Sequence, residues 1–111
     1  LLLTLLFGSR VIEIHNPPIQ VEIRTVTGYS SEINQTDSTP FLTASQKRVQ
    51  EGFIACPRRL SFGTIVEIEG KEYVCEDRLA LKFDDRFDIW FSSTVEAREF
   101  GIQKLNVSVV H

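Results

Sequence analysis

From Ile19 to Arg24 apolar and polar residues alternate strictly, and the same period of two returns from Ile102 to Val110. That period puts successive side chains on opposite faces of a strand. Both segments therefore read as half-buried β-strands, the second with Leu105, Val107 and Val109 inward. Between them the apolar runs are short and sharply bounded. Phe53-Ile54-Ala55-Cys56 stops at Pro57, Gly63 to Ile68 and Glu72 to Cys75 flank Glu69-Gly70-Lys71 as a hairpin, and Phe87 to Phe91 forms a further run. Only one helix start is written. Ser93 followed by Glu96 is a capping box and Gly101 a stop, predicting a helix over about 94–100. About six short strands and one helix favour a closed β-barrel over an α/β sheet, whose parallel strands would need more crossover helices.

A chain of 111 residues supports one domain, burying somewhat over ~60% of its unfolded surface. Its net charge of −3 carries no block of like charge, so the phosphate-binding footprint of a nucleic-acid partner is not expected. The chain has no methionine and opens Leu1-Leu2-Leu3-Thr4-Leu5-Leu6-Phe7-Gly8. This run is far short of the ~20 residues that span a bilayer. It reads as the tail of a signal peptide or a trimmed membrane anchor, with a buried first strand as the alternative. Ser9 to Pro18, ending in Pro17-Pro18, reads as a linker, which divides the chain into 1–18 and a domain over 19–111. Tyr29 to Pro40 is polar and aperiodic, the pattern of a long surface loop, and it carries Asp37.

Cys56 and Cys75 are the only cysteines, nineteen positions apart, each near the end of a strand-like run. Neither belongs to a Cys-x-x-Cys pair or has a histidine nearby, so no metal site and no thiol chemistry is expected. They read either as one disulfide in an oxidising compartment or as two buried thiols.

The chemistry concentrates between Cys75 and Phe91. Asp77 follows the hairpin directly, and Asp88 lies among Phe87, Ile89, Trp90 and Phe91. An ionised carboxylate among such neighbours is costly unless paired or protonated, and an acid with a raised pKa is one resolution. Asp84 and Asp85 lie in a polar loop and read as solvated surface charge.

Asp77, the step of eleven positions to Asp88, and Arg86-Phe87-Asp88-Ile89-Trp90 resemble the paired-aspartate signature of the three-aspartate domain. That domain is a small double-psi β-barrel found in membrane-bound lytic transglycosylase A and in many short bacterial cell-wall proteins. Its first aspartate lies in a Thr-Asp-x-Thr-Pro-x-x-Thr-Ala-Ser segment, matched here by Thr36 to Ser45 with Asp37. Thr27-Gly28-Tyr29-Ser30, Gly52-Phe53-Ile54-Ala55, Phe62-Gly63-Thr64 and Ala97-Arg98-Glu99-Phe100-Gly101 extend the likeness over roughly residues 24 to 110.

The resemblance implies a six-stranded double-psi β-barrel with one short helix, exported to the cell envelope or secreted, with peptidoglycan glycan strands as its partner and no cofactor. It implies that Asp88 is a general acid, that Asp77 keeps Asp88 protonated by like-charge repulsion, and that Asp37 completes the cluster. A lytic transglycosylase needs only one acid: it protonates the glycosidic oxygen, and the sugar's own 6-hydroxyl closes a 1,6-anhydro end. Tyr29, Thr43 and Arg86 are candidate glycan contacts, each with a structural role as the alternative. Two positions depart from the family pattern. Gln46 stands where a glycine usually follows the serine, and Arg78-Leu79-Ala80 replace a Gly-Gly turn after the second aspartate. The other readings are a non-catalytic wall-binding barrel and a structural barrel whose acids pair with Arg58, Arg78 or Arg86.

Overall fold

The computed structural model describes residues 20–32 and 41–110, together with the backbone of 2–7 and 10–15. Strands β1 (Leu2–Phe7) and β2 (Arg10–His15) pair antiparallel as a two-stranded sheet. The segment read as a linker thus contains a strand, and the Leu-rich run pairs with it rather than joining the barrel.

Six further strands close a barrel in the order β3-β7-β4-β6-β5-β8. They are β3 (Val21–Ser30), β4 (Phe53–Cys56), β5 (Ile65–Ile68), β6 (Lys71–Arg78), β7 (Phe87–Phe91) and β8 (Gln103–Val110). The sheet is mixed: β3–β7 and β4–β6 run parallel, while β3–β8, β4–β7, β5–β6 and β5–β8 run antiparallel. Closure leaves no free edge, which suits a small sheet with no helical layer to cover one.

The core is one cluster that includes Val26, Ile54, Cys56, Val66, Ile68, Cys75, Phe87, Ile89 and Val107, with Leu105 and Val109 packed against it. Each large apolar side chain buried this fully contributes about 1.5–3 kcal/mol relative to exposure. The inward phase of β8 is the one its alternation predicts. In β3 the phase differs, because Val26 points inward and its parity sends Val21 and Ile23 to the outer face, 59% and 70% exposed. Glu22 and Arg24, of the same parity as Val26, pair with each other on the face opposite Val21 and Ile23. β3 also runs on through Tyr29 and Ser30, residues expected in a loop.

The hairpin at Glu69-Gly70 forms as expected, with positive φ at both residues. Helix α1 (Thr94–Phe100) starts at Ser93, whose Oγ accepts from the Glu96 N–H at 3.2 Å, and ends at Gly101 with φ 66°. The Glu96 carboxylate accepts from the Ser92 hydroxyl at 3.0 Å rather than from the cap backbone. α1 packs on β3 and β7, where Phe91 and Phe100 lie 5.3 Å apart between ring centres. Among the described residues no helix is long and apolar enough to cross a membrane.

Candidate functional site

Asp77 and Asp88 reach one face of the barrel through a register shift. On β4, Ile54 pairs with Cys75 of β6, but the next residue, Ala55, pairs with Asp77, so Glu76 is the extra residue of a bulge. Without it Asp77 would share the inward phase of Cys75, because one residue of slip exchanges the two faces of a strand. With it Asp77 joins a row running Thr27, Asp88, Ala55, Asp77 across β3, β7, β4 and β6. Residues in register on neighbouring strands share a face, and two strand spacings set the two aspartate backbones about 10 Å apart. Ala55 contributes only a methyl between them.

The two acids have different surroundings. Asp77 accepts three hydrogen bonds: from the Tyr29 hydroxyl at 2.8 Å, the Ala44 N–H at 2.9 Å and its neighbour's Arg78 N–H at 2.9 Å. Asp88 accepts one side-chain bond, from the Thr27 hydroxyl at 2.9 Å. Burial raises the Asp88 pKa to about 6, the Thr27 bond and the Arg86 charge pull against it, and the Asp77 charge adds to the rise. Burial first, then the charge and hydrogen bond of Asp77 and the charge of Asp88, push the Tyr29 hydroxyl far up, so it remains a donor. One acid is anchored by three donors, and the other is held by one with its pKa raised.

Arg86 lies over the Phe83 ring, 4.5 Å from its centre, and 4.0 Å from Asp85, while its buried Nε has no hydrogen-bond partner among the described residues. Arg58 pairs with Asp84 at 3.0 Å, a bond from the Arg58 N–H and that ion pair holding the Asp84 carboxyl below its usual range despite some desolvation. Arg78 turns away from the acids. Its guanidinium donates to the Leu60 carbonyl at 2.7 Å, stacks 4.1 Å from the Phe62 ring centre and reaches the sulfurs of Cys56 and Cys75. Neither Asp77 nor Asp88 forms an ion pair with an arginine among the described residues.

Thr43 is buried, and its hydroxyl is used inside its own loop, bonded to the Ser45 hydroxyl at 2.9 Å and accepting from the Lys47 N–H at 3.2 Å. In this conformation it shapes the loop rather than presenting a contact. Asp37 lies outside the described residues. Cys56 and Cys75 form a disulfide between neighbouring parallel strands, Cα atoms 5.7 Å apart, on the core side of the aspartate row. Leu79 is buried, and Ala80 adopts an ordinary extended conformation with φ −59°, so the chain takes this path without glycines. Gln46 does adopt φ 67°, the left-handed conformation that favours glycine.

Sequence reasoning missed Thr27, Ala55 and Glu76. Thr27 and Ala55 acquire their roles only from register, which no local pattern reports. Glu76 had one signal: two consecutive acids in a strand, of which regular alternation sends one toward the core.

A cleft of about 530 Å³ opens where β4 begins, between β7 and α1, with Tyr73, Trp90, Phe91, Phe100, Glu96 and Glu99 among its lining. Neither aspartate lines it. No group of three or more potential metal ligands occurs among the described residues.

Fold and site together define a small, closed, mixed β-barrel carrying an asymmetric carboxylate pair on its wall. No model of a known protein family matches the chain, and no curated protein matches it either.

Proposed function

We propose that the barrel is a three-aspartate domain of the double-psi type, acting on the glycan strands of peptidoglycan as a lytic transglycosylase in the cell envelope. One observation carries this reading: Asp88, its pKa raised to about 6, shares a strand row with an anchored Asp77. An acid poised there is largely protonated under mildly acidic conditions and still strong enough to give its proton up. Asp88 protonates the glycosidic oxygen as the bond to the anomeric carbon breaks. The 6-hydroxyl of the same sugar then closes on the oxocarbenium-like centre and returns a proton to Asp88, so acid and sugar mass balance without water. Asp77 keeps a negative charge nearby, which favours the protonated state of Asp88 at the start of each cycle.

A wall-binding barrel without turnover is the second reading, favoured by Leu79-Ala80, whose side chains occupy the place of the family's Gly-Gly turn. Mass spectrometry of digested sacculi separates the two. Anhydro-muropeptides support the transglycosylase, reducing-end products point to a hydrolase, and intact glycan that co-sediments with the protein supports the binding module.

A further inference from the structure

Among the described residues Glu76 is the one carboxylate buried almost completely, at 1% exposure, and the proposed chemistry does not use it. As the extra residue of the bulge it has a backbone carbonyl free of the β4–β6 ladder, and the Ser45 N–H donates to that carbonyl at 3.2 Å. Its carboxylate accepts from the Ser45 hydroxyl at 2.8 Å and pairs with Lys47 Nζ at 3.0 Å. Burial works against its charge, but Ser45, Lys47 and the Gly63 N–H outweigh it and hold the pKa below the usual range. Both the backbone carbonyl and the carboxylate of this residue therefore reach the same loop, the carboxylate also lying beside Gly63.

That loop is itself closed, by bonds from the Val49 N–H to the Phe41 carbonyl and from the Thr43 N–H to the Lys47 carbonyl, at 2.9 and 2.8 Å. At its tip, between Thr43 and Ser45, the Ala44 N–H reaches Asp77. We infer that Glu76 is a positioning residue: from the bulge it latches the 41–49 loop to the barrel wall, and the Ala44 N–H delivered by that loop holds Asp77 in the row it shares with Asp88. The same bulge that turns Asp77 outward thus supplies the anchor that keeps it there.

The consequence can be read without substrate. Released from Ala44, Asp77 is free to swing into solvent, which carries its negative charge away from Asp88. The charged and polar groups facing Asp88 are Asp77 from β6, Tyr29 and Thr27 from β3, and Arg86 beside its own strand. Only Asp77 among them is tied to the loop.

The test is an NMR titration of the Asp88 carboxyl, with amide exchange at Ala44, in the wild type, Glu76→Gln, Lys47→Gln and Val66→Ala. Lys47 is 61% exposed, so its variant keeps the question open to measurement if Glu76→Gln fails to fold. Val66→Ala opens a cavity in β5, away from the latch, and controls for general loosening. The expected result is a fall in the Asp88 midpoint of about half a pH unit or more in the latch variants. Ala44 exchange should speed up on the order of tenfold, with the Asp88 midpoint of Val66→Ala within about 0.2 units of wild type. An unchanged Asp88 midpoint in the latch variants, or an equal fall in Val66→Ala, overturns the inference. The proposal rests on the transglycosylase reading only for its catalytic meaning: these measurements involve no glycan, so they fail or hold separately from digestion of sacculi.

Discussion

The Tyr29 hydroxyl donates to Asp77 at 2.8 Å, joining β3 to β6 although two strands lie between them in the barrel order. This bond links the start of the aspartate row to its end. It also uses an oxygen of Asp77 that Ala44 and Arg78 leave free, since they both donate to the other.

Tyr29→Phe removes that donor and nothing else. A hydrogen bond to a charged acceptor in a part-buried site contributes about 1–2 kcal/mol net, so urea unfolding should show a loss of that size. An unchanged midpoint would mean that the bond is not formed in solution.

Asp88 should give the barrel a pH-dependent stability. Its folded pKa, about 6, lies above its ordinary value of 3.8, so the folded state holds a proton that the unfolded chain releases. The contribution is full below about pH 4, falls as pH rises through 4 to 6, and is gone above that window. Two units correspond to roughly 3 kcal/mol at most, fewer where water reaches the carboxyl. Denaturation midpoints measured across pH 3 to 8 should show this slope in wild type, and Asp88→Asn should flatten it.

On the transglycosylase reading, the alkaline limb of kcat/KM reports the same group and should bend near pH 6. Asp77→Asn removes the charge that adds to the rise caused by burial, so the limb should move to lower pH and the rate at neutral pH should fall. Asp88→Asn should lose about 10²-fold or more in turnover while still binding glycan. Identical anhydro-sugar release by wild type and Asp88→Asn would remove Asp88 from the role of acid.

Gln46 holds a left-handed conformation that costs an L-residue roughly 1–2 kcal/mol, whereas glycine adopts it freely. Gln46→Gly should raise stability by about 0.5–1 kcal/mol after the entropy that glycine adds to the unfolded chain. Thermal melts of the two proteins decide it, and a lower Tm for the glycine variant would contradict the backbone argument.

The Cys56–Cys75 disulfide closes a short loop between parallel strands, and removing such a link costs about 2–4 kcal/mol. Oxidatively folded protein should therefore show no titratable thiol, and the double variant Cys56→Ala with Cys75→Ala should unfold at lower denaturant. Two free thiols in the folded protein would rule the link out.

Much of the barrel is legible before folding because its signals are local. The alternation of Ile102 to Val110, the Glu69-Gly70 turn, Pro57 after Cys56 and the Ser93 cap each act within a few residues, and each element forms where its signal lies. The β3 phase was less readable. Val21 and Ile23 alternate correctly, but Val26 sets which parity points inward, and that choice belongs to packing against Phe87 on the neighbouring strand.

The sequence by itself determined the class of fold, the helix and the presence of two carboxylates set against apolar strand residues. Tertiary structure alone decided that those carboxylates share a face. Strand order brings β7 and β6 to either side of β4, and one inserted residue, Glu76, turns Asp77 outward to stand in line with Asp88. Register depends on pairing between segments far apart in the chain, and a slip of one residue exchanges inside for outside without altering any local pattern. The fate of Thr43 and Arg78 was hidden for the same reason: their partners, in a folded-back loop and across the disulfide, exist only once the barrel closes.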